Sequence, residues 1–154
     1  MTRESDISIY DQNAKTIREK KSSDLNNRLK ITKGVKNSLL ISIHMNKYRE
    51  EKYFGSQIFY GGKNENSKKL AEIISKNLKL QINPENNREI KQVGKEIFLI
   101  YNSDIPTVLI ECVFISNKNE TELLKTKEYR EKMMMSVALS VMEYEKSLGE
   151  LDEN

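Results

Sequence analysis

Three side chains in this sequence have types and surroundings that suit chemistry. His44 is the single histidine, and it closes the aliphatic run Ser38-Leu39-Leu40-Ile41-Ser42-Ile43-His44. Glu111 sits within Thr107-Val108-Leu109-Ile110-Glu111-Cys112-Val113-Phe114, with apolar neighbours on both sides. Cys112, the single cysteine, follows it directly. A neutral imidazole is a common metal ligand. A carboxylate that loses solvation has a raised pKa and suits proton transfer near neutral pH. Each residue also has a plainer reading. A histidine at a strand end more often bonds a neighbour. Glu111 suits equally well an ion pair with an arginine such as Arg3 or Arg28. Cys112 points to the opposite strand face from Glu111 and suits a small buried hydrophobe. A Cys112–His44 nucleophile pair is conceivable, with no local pattern behind it. Tyr48, Tyr53 and Tyr60 suit stacking on a sugar as much as ordinary packing.

The elements that must position these residues follow from the spacing of apolar positions. Residues 12–32 predict a helix with sparse apolar positions (Ala14, Ile17, Leu25, Leu29), ended by Gly34. Ser38–His44 predicts a buried strand, and Ser56–Tyr60 a second one closed by Gly61-Gly62. Residues 65–80 place Leu70, Ile73, Ile74 and Leu78 at helical spacing. Residues 81–95 read as a polar loop, Glu96–Tyr101 as a third strand and Thr107–Ile115 as a fourth. Asn119 with Glu122 resembles a capping box opening a helix, and a long helix from Lys127 to Leu148 carries Met134, Val137, Val141 and Tyr144. The Met133–Met135 run reads as core filler on that helix. Near-continuous apolar strands alternating with helices predict an α/β fold: a mostly parallel sheet covered by helices on both faces. His44 and Glu111 then lie near the carboxyl ends of their strands, where α/β sheets gather ligands, and are expected to share one cleft. One domain over residues 1–148 and an acidic tail over 149–154 account for the chain.

Composition narrows the class. At 154 residues, 37% apolar and 32% charged, the chain suits a globular domain with a real core. The net charge of +3 comes from interleaved acidic and basic residues, and no nucleic-acid motif is present. No apolar run approaches the roughly 20 residues of a membrane span, and the polar start Met1–Gln12 is not an export signal.

Several stretches together carry a family resemblance. They are Thr2-Arg3-Glu4-Ser5-Asp6, Asp24-Leu25 with Arg28, Ser42-Ile43-His44-Met45-Asn46, Gly55 to Tyr60, and Leu109-Ile110-Glu111 leading to Phe114-Ile115-Ser116-Asn117. In order and spacing they resemble the type 3 N-acetylmuramoyl-L-alanine amidases, above all the germination-specific members that act on spore cortex. The resemblance implies a zinc hydrolase of peptidoglycan acting outside the cytoplasm, in the cell wall or spore cortex. It cleaves the amide between N-acetylmuramic acid and L-alanine. His44 matches the second zinc histidine and Glu111 the catalytic glutamate. Family members open with a strand and loop bearing a first histidine, then a helix opened by a glutamate. The sequence is therefore expected to lack the family's first strand and helix and two of three zinc ligands. Zinc is expected to bind weakly or not at all. The incomplete sheet edge is expected to take a protein partner or a second copy. Val113 stands where the family usually has glycine and is expected to crowd the backbone near Glu111. Alternatives are a non-catalytic wall-binding or partner-binding module, and a Cys–His hydrolase using Cys112.

Overall fold

The computed structural model describes residue 2 and residues 5–152, with side-chain burial described through residue 149. Arg3 and Glu4, and the last two residues of the expected acidic tail, lie outside the described residues. Among the described residues four strands form one sheet in the order β1-β4-β2-β3: β1 (Leu40–Asn46), β2 (Gln57–Tyr60), β3 (Lys91–Gln92) and β4 (Thr107–Phe114). β1 pairs with β4, and β2 with β3, in parallel, while β2 and β4 run antiparallel. Among the described residues five helices complete the order: α1 (Ile17–Lys33), α2 (Asn66–Gln81), α3 (Phe98–Asn102), α4 (Lys118–Lys125) and α5 (Lys127–Asp152).

The two sheet faces are covered unequally. On one, Leu70, Ile74 and Leu78 of α2 and Met133, Val137 and Tyr144 of α5 pack on Ile58, Val108, Ile110 and Cys112. On the other, Ile100 of α3 packs with Leu40, Val93 and Leu109. α1 starts where a capping box allows: Glu19 N–H donates to Thr16 Oγ1 at 3.2 Å, and the Glu19 carboxylate accepts from Thr16 N–H at 2.9 Å. Its flanks are mostly polar, and it packs on α3 rather than pressing onto β1. A cleft of about 1030 Å³ remains, lined by Asp24, Leu25 and Arg28 on one side and by Leu40, Ser42 and His44 on the other. Among the described residues β1 is an edge strand with one side unpaired.

Some local expectations change. Glu96–Tyr101 does not form a strand; Phe98–Asn102 is a short helix. A run of a few apolar residues fits either form, and the helical turn lets Ile97, Leu99, Ile100 and Tyr101 gather around one cluster. The loop 81–95 contributes Lys91–Gln92 as the edge strand beside β2. The cap of α4 is Asn117, not Asn119: its side chain accepts from Glu120 N–H at 3.1 Å. Of the methionine run, Met133 is core while Met134 and Met135 are exposed. α5 continues to Asp152, into the segment read as an acidic tail.

β4 carries an irregularity at its end. His44 pairs with Glu111 and Asn46 with Phe114, so two β4 residues face one β1 residue, as in a β-bulge. Cys112 and Val113 consequently both pack into the α2–α5 core. Val113, where the family usually has glycine, is fully buried with its side chain in that core. Beyond the bulge, the buried Glu120 carboxylate accepts from Phe114 N–H at 2.7 Å and Gly55 N–H at 2.8 Å. One side chain thus ties the end of β4 to the loop before β2. Glu120→Ala is expected to destabilise the protein by roughly 2–4 kcal/mol, since it leaves two enclosed N–H groups unpaired, and Glu120→Gln by less. Urea denaturation measures both, and an unchanged midpoint in Glu120→Ala would contradict this role.

Candidate functional site

A row of three side chains crosses the middle of the sheet. His44 on β1 stands opposite Glu111 on β4, and Glu111 stands opposite Gln57 on β2. The strand period puts Leu40, Ser42 and His44, with Leu109 and Glu111, on the face that looks toward α1 and α3. The apolar members of that set enter the smaller core, and His44 lines the open cleft beyond it. The sequence reading expected these two residues to share a cleft; they are direct neighbours on adjacent parallel strands, and of the two His44 lines the cleft.

Their surroundings differ. His44 is exposed, and its Nε2 lies 3.0 Å from Ser42 Oγ, which orients the ring. Glu111 is half-buried, and its Oε2 is enclosed without a hydrogen-bond partner among the described residues. Burial raises the Glu111 carboxyl above the ordinary range, and nearby His44 partly offsets the rise. Arg28 directs Nε and Nη2 to Asp24 and Nη1 to Thr2, so it is not an ion-pair partner of Glu111. Arg3, the other arginine considered, lies outside the described residues. Gln57 is 3% exposed, and its Nε2 donates to Glu89 O at 2.6 Å, so its amide is held in place.

Cys112 is overturned as a nucleophile. It is buried on the opposite face, within the α2–α5 core. Burial, with a smaller contribution from Glu111, pushes its thiol up to about 12, so no useful thiolate forms near neutral pH.

A catalytic zinc takes about three protein ligands. Among the described residues no group of three or more His, Cys, Asp or Glu side chains gathers closely enough to hold a metal. His44 and Glu111 provide two donors, and the described residues do not by themselves fit a resident zinc. The arrangement can move a proton: a half-buried carboxylate of raised pKa stands beside an exposed imidazole that lines the cleft.

Sequence reasoning missed Ser42, Gln57 and Arg88. Ser42 stands two residues before His44, a same-face position that strand periodicity makes readable. Gln57 is a polar residue in an otherwise apolar strand, but its neighbour depends on pairing β2 with β4. Arg88 lies in a polar loop, and only the fold brings it to the rings of Phe114 and Tyr53.

The sequence profile of the N-acetylmuramoyl-L-alanine amidase family matches residues 1–143. The germination-specific N-acetylmuramoyl-L-alanine amidase of Bacillus subtilis (strain 168) is 33% identical over 153 residues, covering 99% of this chain and 64% of that protein. The N-acetylmuramoyl-L-alanine amidase LytC of Bacillus subtilis (strain 168) is 30% identical over 108 residues, covering 69% of this chain and 21% of that protein. The chain thus spans less than two thirds of either relative. Among solved structures, the CwlD amidase from Clostridioides difficile in complex with the GerS lipoprotein superposes with a TM-score of 0.87 at 37% identity, covering 95% of this chain and 74% of that one.

The raised Glu111 pKa has a consequence for stability. Between its ordinary range and its raised value the folded state binds more protons than the unfolded state, so stability falls as pH rises through that window. With a chelator present, Glu111→Gln is expected to have a higher urea midpoint than the parent at about pH 8, with the gap narrowing toward about pH 4. A gap that widens on acidification would show that Glu111 is not held in an environment that favours its neutral form.

Proposed function

The chain belongs to the N-acetylmuramoyl-L-alanine amidase family, and from that premise we propose that residues 1–148 are catalytic-domain sequence of a peptidoglycan hydrolase. The bond cleaved is the amide between N-acetylmuramic acid and L-alanine. The observation that carries the reading is the pairing of His44 with Glu111 at the carboxyl ends of adjacent parallel strands. In the proposed reaction Glu111 takes a proton from a water molecule as its oxygen attacks the amide carbonyl. The same carboxyl then gives that proton to the amine nitrogen as the C–N bond breaks. Partial burial supports this role, because it brings the carboxyl toward neutral pH. Zinc is the ion that family membership suggests, with His44 as a ligand. With Glu111 serving as the proton carrier, His44 is the one matched donor among the described residues, and no step is assigned to zinc.

The place of action under this reading is outside the cytoplasm, in the cell wall or spore cortex. No helix among the described residues is long and apolar enough to cross a membrane. A protein partner or a second copy is proposed at the free edge of β1. Support comes from the exposed Ile43 and Met45 there, and from Met135, Leu139 and Met142, exposed at helical spacing on α5. The shortage of metal donors favours a second reading, a non-catalytic module that binds peptidoglycan or a partner.

Two measurements test these assignments. The 154-residue chain, equilibrated with zinc and passed over a chelating resin, is expected to keep well under one zinc per chain and to release negligible peptide from purified peptidoglycan. One tightly held zinc per chain would show that the donor count is wrong. In any preparation that turns over, Glu111→Gln is expected to lower kcat by about 10²–10⁴-fold with metal content unchanged. Turnover that survives the substitution removes Glu111 as the proton carrier. Peptidoglycan binding without turnover selects the non-catalytic reading.

A further inference from the structure

Residues 47–56 lead from β1 to β2 beside the row of His44, Glu111 and Gln57. The loop is pinned at several points. Tyr48 N–H donates to Ser116 Oγ at 3.2 Å, Asn117 Nδ2 donates to Glu51 O at 2.8 Å, and Ser56 Oγ donates to Cys112 O at 2.9 Å. Gly55 adopts φ +82°, and a Cβ there would meet the Asn86 side chain at 2.7 Å, so the chain passes Asn86 closely. Tyr48 meets Tyr53 edge-on with ring centroids 4.7 Å apart, and Tyr53 lies 6.2 Å from Phe114.

Two cations approach these rings: Lys52, whose Nζ lies 5.4 Å from the Tyr53 centroid, pairs with Glu50, and Arg88 is the one with no carboxylate partner among the described residues. Its guanidinium carbon lies 4.4 Å from the Phe114 ring centroid and 5.7 Å from that of Tyr53. Its Nε donates to Phe54 O at 2.9 Å. Two ring contacts and one hydrogen bond therefore fix the plane of the group. Nη1 and Nη2 meet no acceptor among the described residues, and no carboxylate there pairs with Arg88. A planar cation held by its stem, with its two-pronged end open, is a receptor for a carboxylate.

The position relative to Glu111 limits what that carboxylate belongs to. Phe114 lies three residues past Glu111 on β4, about 10 Å along a strand. Cys112 and Val113 both turn into the α2–α5 core at the bulge, so Phe114 returns to the face that bears Glu111. About 10 Å is the reach of two extended residues and a short side chain. We propose that Arg88, held against Phe114 and Tyr53, is a specificity residue that takes a substrate carboxylate about two residues past the scissile amide on the peptide side. The inference rests on the amidase reading above and names the peptide end of that site.

The test uses the 154-residue chain and two probes: N-acetylmuramoyl-L-alanyl-D-glutamine, whose γ-carboxyl is an amide as in the polymer and whose α-carboxylate is free, and the same compound with that α-carboxylate converted to an amide. Binding is followed by chemical-shift titration at millimolar ligand. The parent is expected to bind the acid about tenfold more tightly than the amide, in line with a charge-assisted contact. Added salt should narrow the difference. Arg88→Gln should erase it, and Arg88→Lys should keep part of it. Equal binding of both probes by the parent overturns the role of Arg88 and leaves the amidase reading standing; Arg88 then only holds the loop. A preference that survives in folded Arg88→Gln also overturns it. Binding of neither probe removes the substrate reading and this inference with it. The acid-against-amide comparison in the parent decides the matter even where Arg88→Gln does not fold.

Discussion

β4 has both edges paired and both faces covered along nearly its whole length. Val108 and Ile110 face the α2–α5 core, and Leu109 faces the smaller core under α3. Glu111 is the single β4 residue that is not buried. A carboxylate in such a strand is tolerated only where the covering layer gives out, because an enclosed charge without a partner is costly. On that face the smaller core takes Leu109, and Glu111, the next residue on the same face, is half-buried beyond it. The constraint that β4 be central therefore fixes where a reactive carboxyl can stand, and its neighbours on β1 and β2 follow from register alone.

The end of β4 then organises the loop that leads into β2. The bulge lets two consecutive residues enter one core and re-aims Phe114. Glu120 holds the Phe114 and Gly55 amides on one carboxylate, and Phe114 offers its ring to Arg88. A backbone irregularity, a buried acid and a stacked guanidinium form one connected arrangement, in which the loop over residues 47–56 has little freedom to drift from the strand ends.

How much of this was legible in the sequence depends on the range of the interactions. The strands of Leu40–His44 and Thr107–Phe114 were readable because buried strands must be apolar, and the α2 helix because one face must be. Placing His44 and Glu111 at strand ends needed nothing more. Glu96–Tyr101 misled because a short apolar run says that it is buried and not how; the three-dimensional cluster with Leu40 and Leu109 decides. The cap of α4 fell two residues earlier because Asn117 with Glu120 repeats the pattern of Asn119 with Glu122, and what favours the first pair is Glu120, whose carboxylate holds the Phe114 and Gly55 amides, contacts that local pattern does not contain. Gln57 and Arg88 were invisible for the same reason: a polar residue in a strand and an arginine in a loop acquire meaning only when sheet order is known. The family resemblance reached the same two residues from motif order, independently of burial.

The free outer edge of β1 has a dynamic consequence. Leu40 N–H donates toward β4, to Pro106 O at 2.9 Å. Successive strand amides alternate sides, so those of Ser42 and His44 also point into the ladder while those of Ile41 and Ile43 point away from it. In hydrogen-exchange terms β1 is protected at every second amide: the inward set opens only with the β4 ladder, and the outward set exchanges from the native state. Two neighbouring amides on the strand that carries His44 thus report on different events, one on the cohesion of the sheet and the other on whatever covers its edge.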